Sequence, residues 1–188
     1  MLINLPNTLT LSRIAAIPVL VALLYFRGNV VCWVAAVLFA AACVTDYLDG
    51  HIARSWSQMS AFGRFLDPIA DKLLVAAVIL MLVFSERVTG LVVLPALIIL
   101  CREILVSGLR EFLAGLNVGL PVSRLAKWKT LLQMVALGFL IVGDAGPVPI
   151  RMIGEIGLWV AALLTLVTGY DYLLTGLRHM AQPSDGAR

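Results

Sequence analysis

Charged side chains are scarce in this sequence. Only 13% of the 188 residues are Asp, Glu, Lys or Arg, while 61% are hydrophobic and the mean hydropathy is +1.00. Soluble domains carry about 25% charged residues, so the composition excludes an ordinary soluble fold. A membrane span needs roughly 20 apolar residues in an α-helix. The sequence therefore predicts a single membrane domain over residues 1–188, with five or six spans joined by short loops.

Cysteine and histidine are also few. The three cysteines all lie in apolar runs and form no Cys-x-x-Cys pair, and the chain has two histidines. These numbers exclude a disulfide framework and a zinc site of the usual spacing. The net charge of +3 is small, and basic residues in a membrane protein first report topology. We therefore expect no nucleic acid among the partners.

Six apolar segments predict an all-α polytopic membrane protein with six transmembrane helices. Among the connections, Arg27, Arg87 and Arg151 mark one side of the membrane, and ten other basic residues mark the opposite side. Because the side richer in Lys and Arg is cytoplasmic, both termini are expected in the cytoplasm. Residues 182–188 are expected to form a flexible tail. The segments are 9–26, 30–45, 69–84, 91–109, 126–142 and 152–174.

Four aspartates form the main polar cluster. Asp46 and Asp49 are three residues apart at the end of the second segment, and Asp67 and Asp71 are four residues apart at the start of the third. In a helix each pair shares one face. Since the connection returns to the same side of the membrane, the two faces are expected to meet.

Carboxylates gathered in a partly dehydrated place repel one another and need a cation. Oxygen ligands without histidine or cysteine suit magnesium, manganese or calcium, and a set of four suits two ions about 3.5–4 Å apart. Such a site is well adapted to phosphoryl transfer. The sequence therefore predicts a divalent metal site, for two Mg²⁺ or Mn²⁺ ions, at Asp46, Asp49, Asp67 and Asp71.

Some of these residues also have a purely structural interpretation. Asp67 before Pro68 is a favourable N-cap, and Asp71 in the first turn favours the helix dipole. Gly50 and Gly63 could end helices. Their functional interpretation is a close approach of the backbone to a ligand that carries phosphate.

Asp46 and Asp49 are harder to explain structurally. They lie at the expected C-terminal end of a helix, where the dipole disfavours anions and where they repel each other. They need a cation nearby. Arg54 and Arg64 are the alternative to a metal as their partners.

The pattern around the aspartates resembles the signature of the CDP-alcohol phosphatidyltransferases, D-x-x-D-G-x-x-A-R-(x)8-G-x-x-x-D-x-x-x-D. All eight fixed positions are present: Asp46, Asp49, Gly50, Ala53, Arg54, Gly63, Asp67 and Asp71. Members of that family have six transmembrane helices, commonly form homodimers, and use divalent metal to displace CMP from a CDP-activated lipid with an alcohol. The resemblance implies the same fold, assembly and chemistry here.

The resemblance also implies a role for each position. Asp46, Asp49 and Asp67 would be metal ligands, and Asp71 would be both a ligand and the catalytic base that deprotonates the incoming hydroxyl. A base beside metal ions makes an alkoxide less costly, while the ions neutralise the pyrophosphate. The CDP part would lie against Asp49, Gly50, Ala53, Arg54 and Gly63, with Arg54 on phosphate.

Outside the motif, residues 4–13, 102–104, 109–111, 126–130 and 133 are similar to the branch of the family that uses glycerol 3-phosphate as the alcohol. A small dianion of this kind needs arginine or lysine on its phosphate. The residues expected to bind this acceptor phosphate are Arg102, Arg110, Lys127 and Lys129.

The helical spacing supports a pocket for the acceptor. Glu103, Ser107 and Arg110 share one face of the fourth helix, and Lys129 and Gln133 share one face of the fifth. The alternative for the basic residues is topology, because long basic side chains near the inner surface also reach anionic lipid head groups. This alternative applies to Arg110, Arg124, Lys127 and Lys129.

We therefore expect a bacterial inner-membrane enzyme, with its active site facing the cytoplasm, that joins CDP-diacylglycerol to glycerol 3-phosphate and releases CMP. Membrane lipid and a second copy of the chain are the other expected partners. One alternative is a transferase of the same family with another acceptor, such as phosphatidylglycerol in cardiolipin synthesis, serine or inositol phosphate. A divalent-cation transporter is the alternative from another class, although it leaves the glycines and Arg54 of the motif unexplained.

Overall fold

The computed structural model describes the backbone over residues 5–26, 28–55, 61–115, 124–147 and 149–181. Over these ranges the chain forms six α-helices and contains no strand, which confirms the predicted all-α fold. The tail expected at 182–188 lies outside the described residues. The helices are α1 (Leu5–Tyr25), α2 (Asn29–Ser55), α3 (Ala61–Phe84), α4 (Val93–Gly115), α5 (Arg124–Val142) and α6 (Pro149–Ala181).

Five of these helices are long and apolar enough to cross a membrane, so the chain is a multi-pass membrane protein. The exception is α3. Every stretch of 18 residues within it includes the three charged residues Asp67, Asp71 and Lys72, which is more charge than a typical span carries. Nevertheless, α3 runs the length of the bundle, because Arg87 just beyond its end reaches the sulfur of Cys32 near the start of α2, 3.1 Å away. The cytoplasmic position of the termini stays a prediction.

The helices that carry the aspartates are longer than the sequence predicts. The hydropathy pattern ends the second helix near residue 45, but α2 continues past Asp46 to Ser55, and α3 begins at Ala61. The prediction of a helix end at Asp46 is therefore wrong, because residues 46–55 and 61–68, which lie between the two apolar segments, are helical. The reason is that both helices extend beyond their apolar parts into polar sequence, where hydropathy no longer marks them.

The structural interpretations of Asp67 and Asp71 are wrong for the same reason. Asp67 lies inside α3 and is not an N-cap, and Asp71 lies far from the first turn. Pro68 has no amide hydrogen, so one helical hydrogen bond is missing from α3 beside Asp67. Gly50 and Gly63 also lie inside helices, which excludes them as helix terminators.

Among the described residues, the most extensive contact between two helices is that of α5 with α6. Gly154 of α6 faces α5 so closely that an added Cβ would lie 2.9 Å from Cγ of Leu140 and 3.2 Å from the carbonyl oxygen of Ala136. Small residues at such contacts let membrane helices approach closely. On the other side of the bundle, α1 packs against both α2 and α3. This arrangement places the polar residues of α1 beside the aspartates of its two neighbours.

Candidate active site

Asp46 of α2 and Asp71 of α3 face one arginine of α1. Nη1 of Arg13 lies 2.9 Å from Oδ1 of Asp46 and 2.7 Å from Oδ1 of Asp71. The Arg13 side chain is only 1% exposed, whereas those of Asp46 and Asp71 are 44% and 37% exposed. The structure thus brings together one aspartate of each predicted pair, with a buried guanidinium behind them.

Asp67 is also bonded to α1, on the helix face that carries Arg13. Its Oδ1 accepts a hydrogen bond from the hydroxyl of Thr10 at 2.5 Å, and Thr10 is buried one turn before Arg13. Thr10 and Arg13 lie in the stretch 4–13 that resembles the glycerol 3-phosphate branch, and Arg13 is one of the ten basic residues counted for the cytoplasmic side, but the sequence predicted no contact of either residue with the aspartates. The available signal was the position of Arg13 inside an apolar segment, since a charged side chain at membrane depth usually has a polar partner.

The remaining signature positions are described only in part. The side chains of Asp49, Ala53 and Arg54 lie outside the described residues, although their backbone belongs to α2. Gly50 likewise belongs to the α2 backbone, and Gly63 is buried in α3. Because α2 is one continuous helix, the signature positions that follow Asp46 belong to the same helix and not to a loop.

A cavity of about 740 Å³ adjoins the aspartate pair. Asp46 and Asp71 line it, together with Arg102 and Arg110 of α4 and Lys127 of α5. All six helices contribute to its lining. The predicted metal-binding side and the predicted acceptor side therefore share one cavity.

Glu103 of α4 is a buried acid in the lining of this cavity. Its carboxylate forms ion pairs with the ammonium groups of Lys72 on α3 and Lys129 on α5. Nη1 of Arg102 lies 3.7 Å from Oε1 of the same carboxylate. A buried carboxylate is tolerated when paired and hydrogen-bonded in this way. Since Lys72 directly follows Asp71, the cluster joins three helices beside the aspartates.

Arg102 connects α4 to α6. Its Nη2 donates a hydrogen bond to the hydroxyl of Thr168 at 3.2 Å, and its Cζ lies 5.6 Å from the centroid of the Tyr172 ring. A Cβ at Gly169 would lie 3.1 Å from Cγ of Arg102, so the glycine leaves room for the arginine stem. The guanidinium is therefore held in a fixed place in the cavity lining.

The four basic residues predicted to bind the acceptor phosphate fall into two groups. Lys129 is buried against Glu103, and Arg102 is held by α6, so both already interact strongly within the protein. Arg110 and Lys127 are exposed residues that line the cavity. The second pair is better placed to contact a small anion that enters the cavity.

The donor chemistry of the site fits a hard divalent cation. Asp46 and Asp71 offer carboxylate oxygens to the cavity from two helices, and Asp67 lies one turn away on α3. Among the described residues, no three carboxylate, imidazole or thiol side chains are close enough to form a complete metal site. The fourth predicted ligand, Asp49, belongs to the part of α2 whose side chains are not described.

Comparison with known proteins adds a family assignment. Residues 3–167 match the CDP-alcohol phosphatidyltransferase family. A CDP-diacylglycerol–glycerol-3-phosphate 3-phosphatidyltransferase of Rickettsia bellii is 52% identical over 171 residues, which cover 90% of this chain and 93% of the relative. Proteins of the same name from Cereibacter sphaeroides and Haemophilus influenzae are 38% and 40% identical. They cover 94% and 90% of this chain, and 97% and 91% of their own lengths.

Proposed function

This chain belongs to the CDP-alcohol phosphatidyltransferase family, and we propose that it transfers the phosphatidyl group of CDP-diacylglycerol to glycerol 3-phosphate. The products are phosphatidylglycerol phosphate and CMP. The observation that carries the proposal is the shared cavity, which is lined both by the carboxylates of Asp46 and Asp71 and by the cations Arg110 and Lys127. The names of the relatives support the same pair of substrates.

Asp71 is the proposed base. Its carboxylate lines the cavity while Arg13 holds one of its oxygens from the protein side. The proton of the acceptor hydroxyl moves to Asp71, and the hydroxyl oxygen bonds to the phosphorus that carries the diacylglycerol group. The bond from that phosphorus to the oxygen bridging to the cytidylate breaks, and CMP leaves.

Asp46, Asp49, Asp67 and Asp71 are the proposed ligands of Mg²⁺ or Mn²⁺. Bound divalent cations supply the charge that neutralises the pyrophosphate and the departing CMP. Thr10 fixes one oxygen of Asp67 by its hydrogen bond, which orients that carboxylate. The CDP part would lie along the positions that follow Asp46 on α2 and precede Asp67 on α3, namely Gly50, Ala53, Arg54 and Gly63.

Arg110 and Lys127 are the proposed contacts of the acceptor phosphate, because charge-assisted hydrogen bonds from exposed cations suit a mobile dianion. Lys129 has an indirect role, because its ion pair holds Glu103 in place. Arg102 closes the cavity toward α6. We also propose that the protein lies in the bacterial inner membrane with this cavity open to the cytoplasm. Assembly as a homodimer is a further expectation from the family resemblance.

The test is CMP release by the purified protein with CDP-diacylglycerol, Mg²⁺ or Mn²⁺, and a panel of acceptors. The panel contains glycerol 3-phosphate, phosphatidylglycerol, serine and inositol phosphate. We expect release only with glycerol 3-phosphate. A preference for another acceptor would change the substrate but keep the reaction class. Divalent-cation flux in liposomes without CMP release would contradict the proposed enzyme.

A further inference from the structure

We propose that Arg13 is a resident counter-ion of the aspartate site: it holds Asp46 and Asp71 together without metal and thereby lowers the affinity of the site for divalent cations. The inference rests on the proposed function, because it concerns the aspartates that function requires. It gives Arg13 a role as a positioning residue.

The first support is the shared nitrogen. Nη1 of Arg13 contacts an oxygen of Asp46 and an oxygen of Asp71, at 2.9 and 2.7 Å. These carboxylates come from α2 and α3, and the arginine comes from α1. One guanidinium thus links three helices at the point where like charges would otherwise repel. Because arginine does not lose its proton in proteins, this positive charge is permanent.

The second support is the difference in exposure. The arginine side chain is 1% exposed, while the two carboxylates are 44% and 37% exposed and line the cavity. Arg13 also borders the cavity, but its side chain is covered, so the two carboxylates are the groups of this cluster that are open to an arriving ion. A metal ion arriving through the cavity meets carboxylates whose charge is already partly balanced.

The third support is the arrangement of the neighbouring charges. Lys72 follows Asp71 in the chain, but its ammonium group is ion-paired with Glu103. Among the side chains that the structure describes, Arg13 is thus the cation that contacts both aspartates directly. The affinity of an oxygen site for divalent ions depends on the charge of its ligands. A fixed positive charge on two of those ligands weakens metal binding and favours exchange of the ion.

The experiment compares four proteins in detergent: the wild type, Arg13→Gln, Arg13→Lys and the control Arg151→Gln. Arg151 is also ion-paired, with Asp144 and Glu155 near the start of α6, far from the aspartates. Free Mn²⁺ is measured by electron paramagnetic resonance during a titration without substrate, and thermal unfolding is measured without metal and with Mn²⁺.

We expect Arg13→Gln to bind Mn²⁺ at least about tenfold more tightly than the wild type, because one positive charge has been removed from the ligands. The same variant should unfold at a lower temperature than the wild type without metal, and added Mn²⁺ should raise its unfolding temperature by more than that of the wild type. Arg13→Lys keeps the charge and should retain near wild-type affinity. Arg151→Gln should not change the affinity.

Equal or weaker Mn²⁺ binding by folded Arg13→Gln would overturn the inference, as would a wild type that binds no Mn²⁺. If Arg13→Gln does not fold without metal, rescue of folding by Mn²⁺ supports the proposal, and absence of rescue contradicts it. CMP release separates the two proposals. If the wild type releases CMP and Arg13→Gln binds Mn²⁺ with wild-type affinity, only the counter-ion role of Arg13 is contradicted. If the wild type is inactive with every acceptor, the proposed function is contradicted.

Discussion

At Asp71, the roles of base and metal ligand predict different results. Asp71→Asn removes the proton acceptor while keeping the size of the side chain. We expect kcat to fall by about two to four decades, the usual contribution of general acid–base catalysis, while binding of CDP-diacylglycerol changes little. Turnover and binding are measured side by side across a metal titration. A parallel loss of both, partly recovered by extra metal, would assign Asp71 chiefly to metal binding, and unchanged turnover would exclude both roles.

At Asp46, the expected role is metal binding alone. Asp46→Asn should lower turnover by more than about a hundredfold, since even groups that only support metal ligands contribute about 10–100-fold. The matched control is Asp144→Asn, which removes an exposed carboxylate paired with Arg151 far from the cavity. The control should keep full turnover. Wild-type activity of Asp46→Asn at low metal concentration would show that Asp46 is not a ligand.

Arg110 tests the acceptor side of the cavity. Arg110→Ala should raise the KM for glycerol 3-phosphate by roughly one to two decades, because a charge-assisted hydrogen bond contributes about 1.5–3 kcal/mol. The KM for CDP-diacylglycerol should change much less. Steady-state kinetics with each substrate varied in turn provides the measurement. Equal changes in both values would identify Arg110 as a structural or lipid-anchoring residue.

Lys129 serves as the contrast, because it is buried against Glu103. Removing one partner of a buried ion pair costs about 3–5 kcal/mol, so we expect Lys129→Ala to lose stability before it shows any selective effect on the acceptor. Thermal unfolding in detergent distinguishes the two effects. The sequence predicted that Lys129 binds the acceptor phosphate. Its ion pair with Glu103 joins two helices, and the spacing of residues along one helix cannot reveal such a pair.

The aspartates could be predicted from sequence because their spacing and their place beside apolar segments are both local features. Arg13 could not be assigned in the same way. Its partners Asp46 and Asp71 belong to other helices, and only the packing of α1 against α2 and α3 brings the three together. For the same reason, the hydrogen bond from Thr10 to Asp67 had no counterpart in the pattern.

At the scale of single helices, hydropathy predicted the number of elements but not their ends. α5 agrees with its predicted segment 126–142 to within two residues at its start and ends at the same residue. α2 and α3 do not agree, since polar residues occupy helical turns near the membrane surface. The motif is therefore held by continuous helices, which position side chains more rigidly than a loop does.

The contact between α5 and α6 allows a prediction about packing. Gly154→Ala would place a Cβ against Leu140 and the carbonyl of Ala136, and overpacking of this kind costs about 1–3 kcal/mol. We expect a lower unfolding temperature in detergent. The matched control is Gly108→Ala in α4, where an added Cβ meets nothing within 4 Å. The control should be neutral or stabilising by up to about 1 kcal/mol, since alanine favours helix more than glycine does. Equal behaviour of the two variants would contradict the close approach.

At the scale of the whole molecule, α3 is the helix whose path across the membrane needs a physical explanation. Its charged first half does not suit lipid, yet Asp67, Asp71 and Lys72 contact residues of α1 and α4 in place of lipid. A polar segment is tolerated at membrane depth where protein covers it. The apolar runs alone predict six spans, and the contacts of the polar half of α3 with protein give a physical reason why the third run can be short.

Single cysteines test this path in a background that lacks Cys32, Cys43 and Cys101. With six spans and a cytoplasmic N-terminus, cysteines replacing Asn29 and Thr89 should react with a membrane-impermeant maleimide added to intact spheroplasts. A cysteine replacing Glu111 should react only after the membrane is opened. All three native residues are exposed at helix ends, so access depends on the side of the membrane. If α3 did not cross, Thr89 and Glu111 would exchange their labelling while Asn29 stayed accessible from outside. If all three positions reversed together, six spans would remain and the termini would lie outside the cytoplasm.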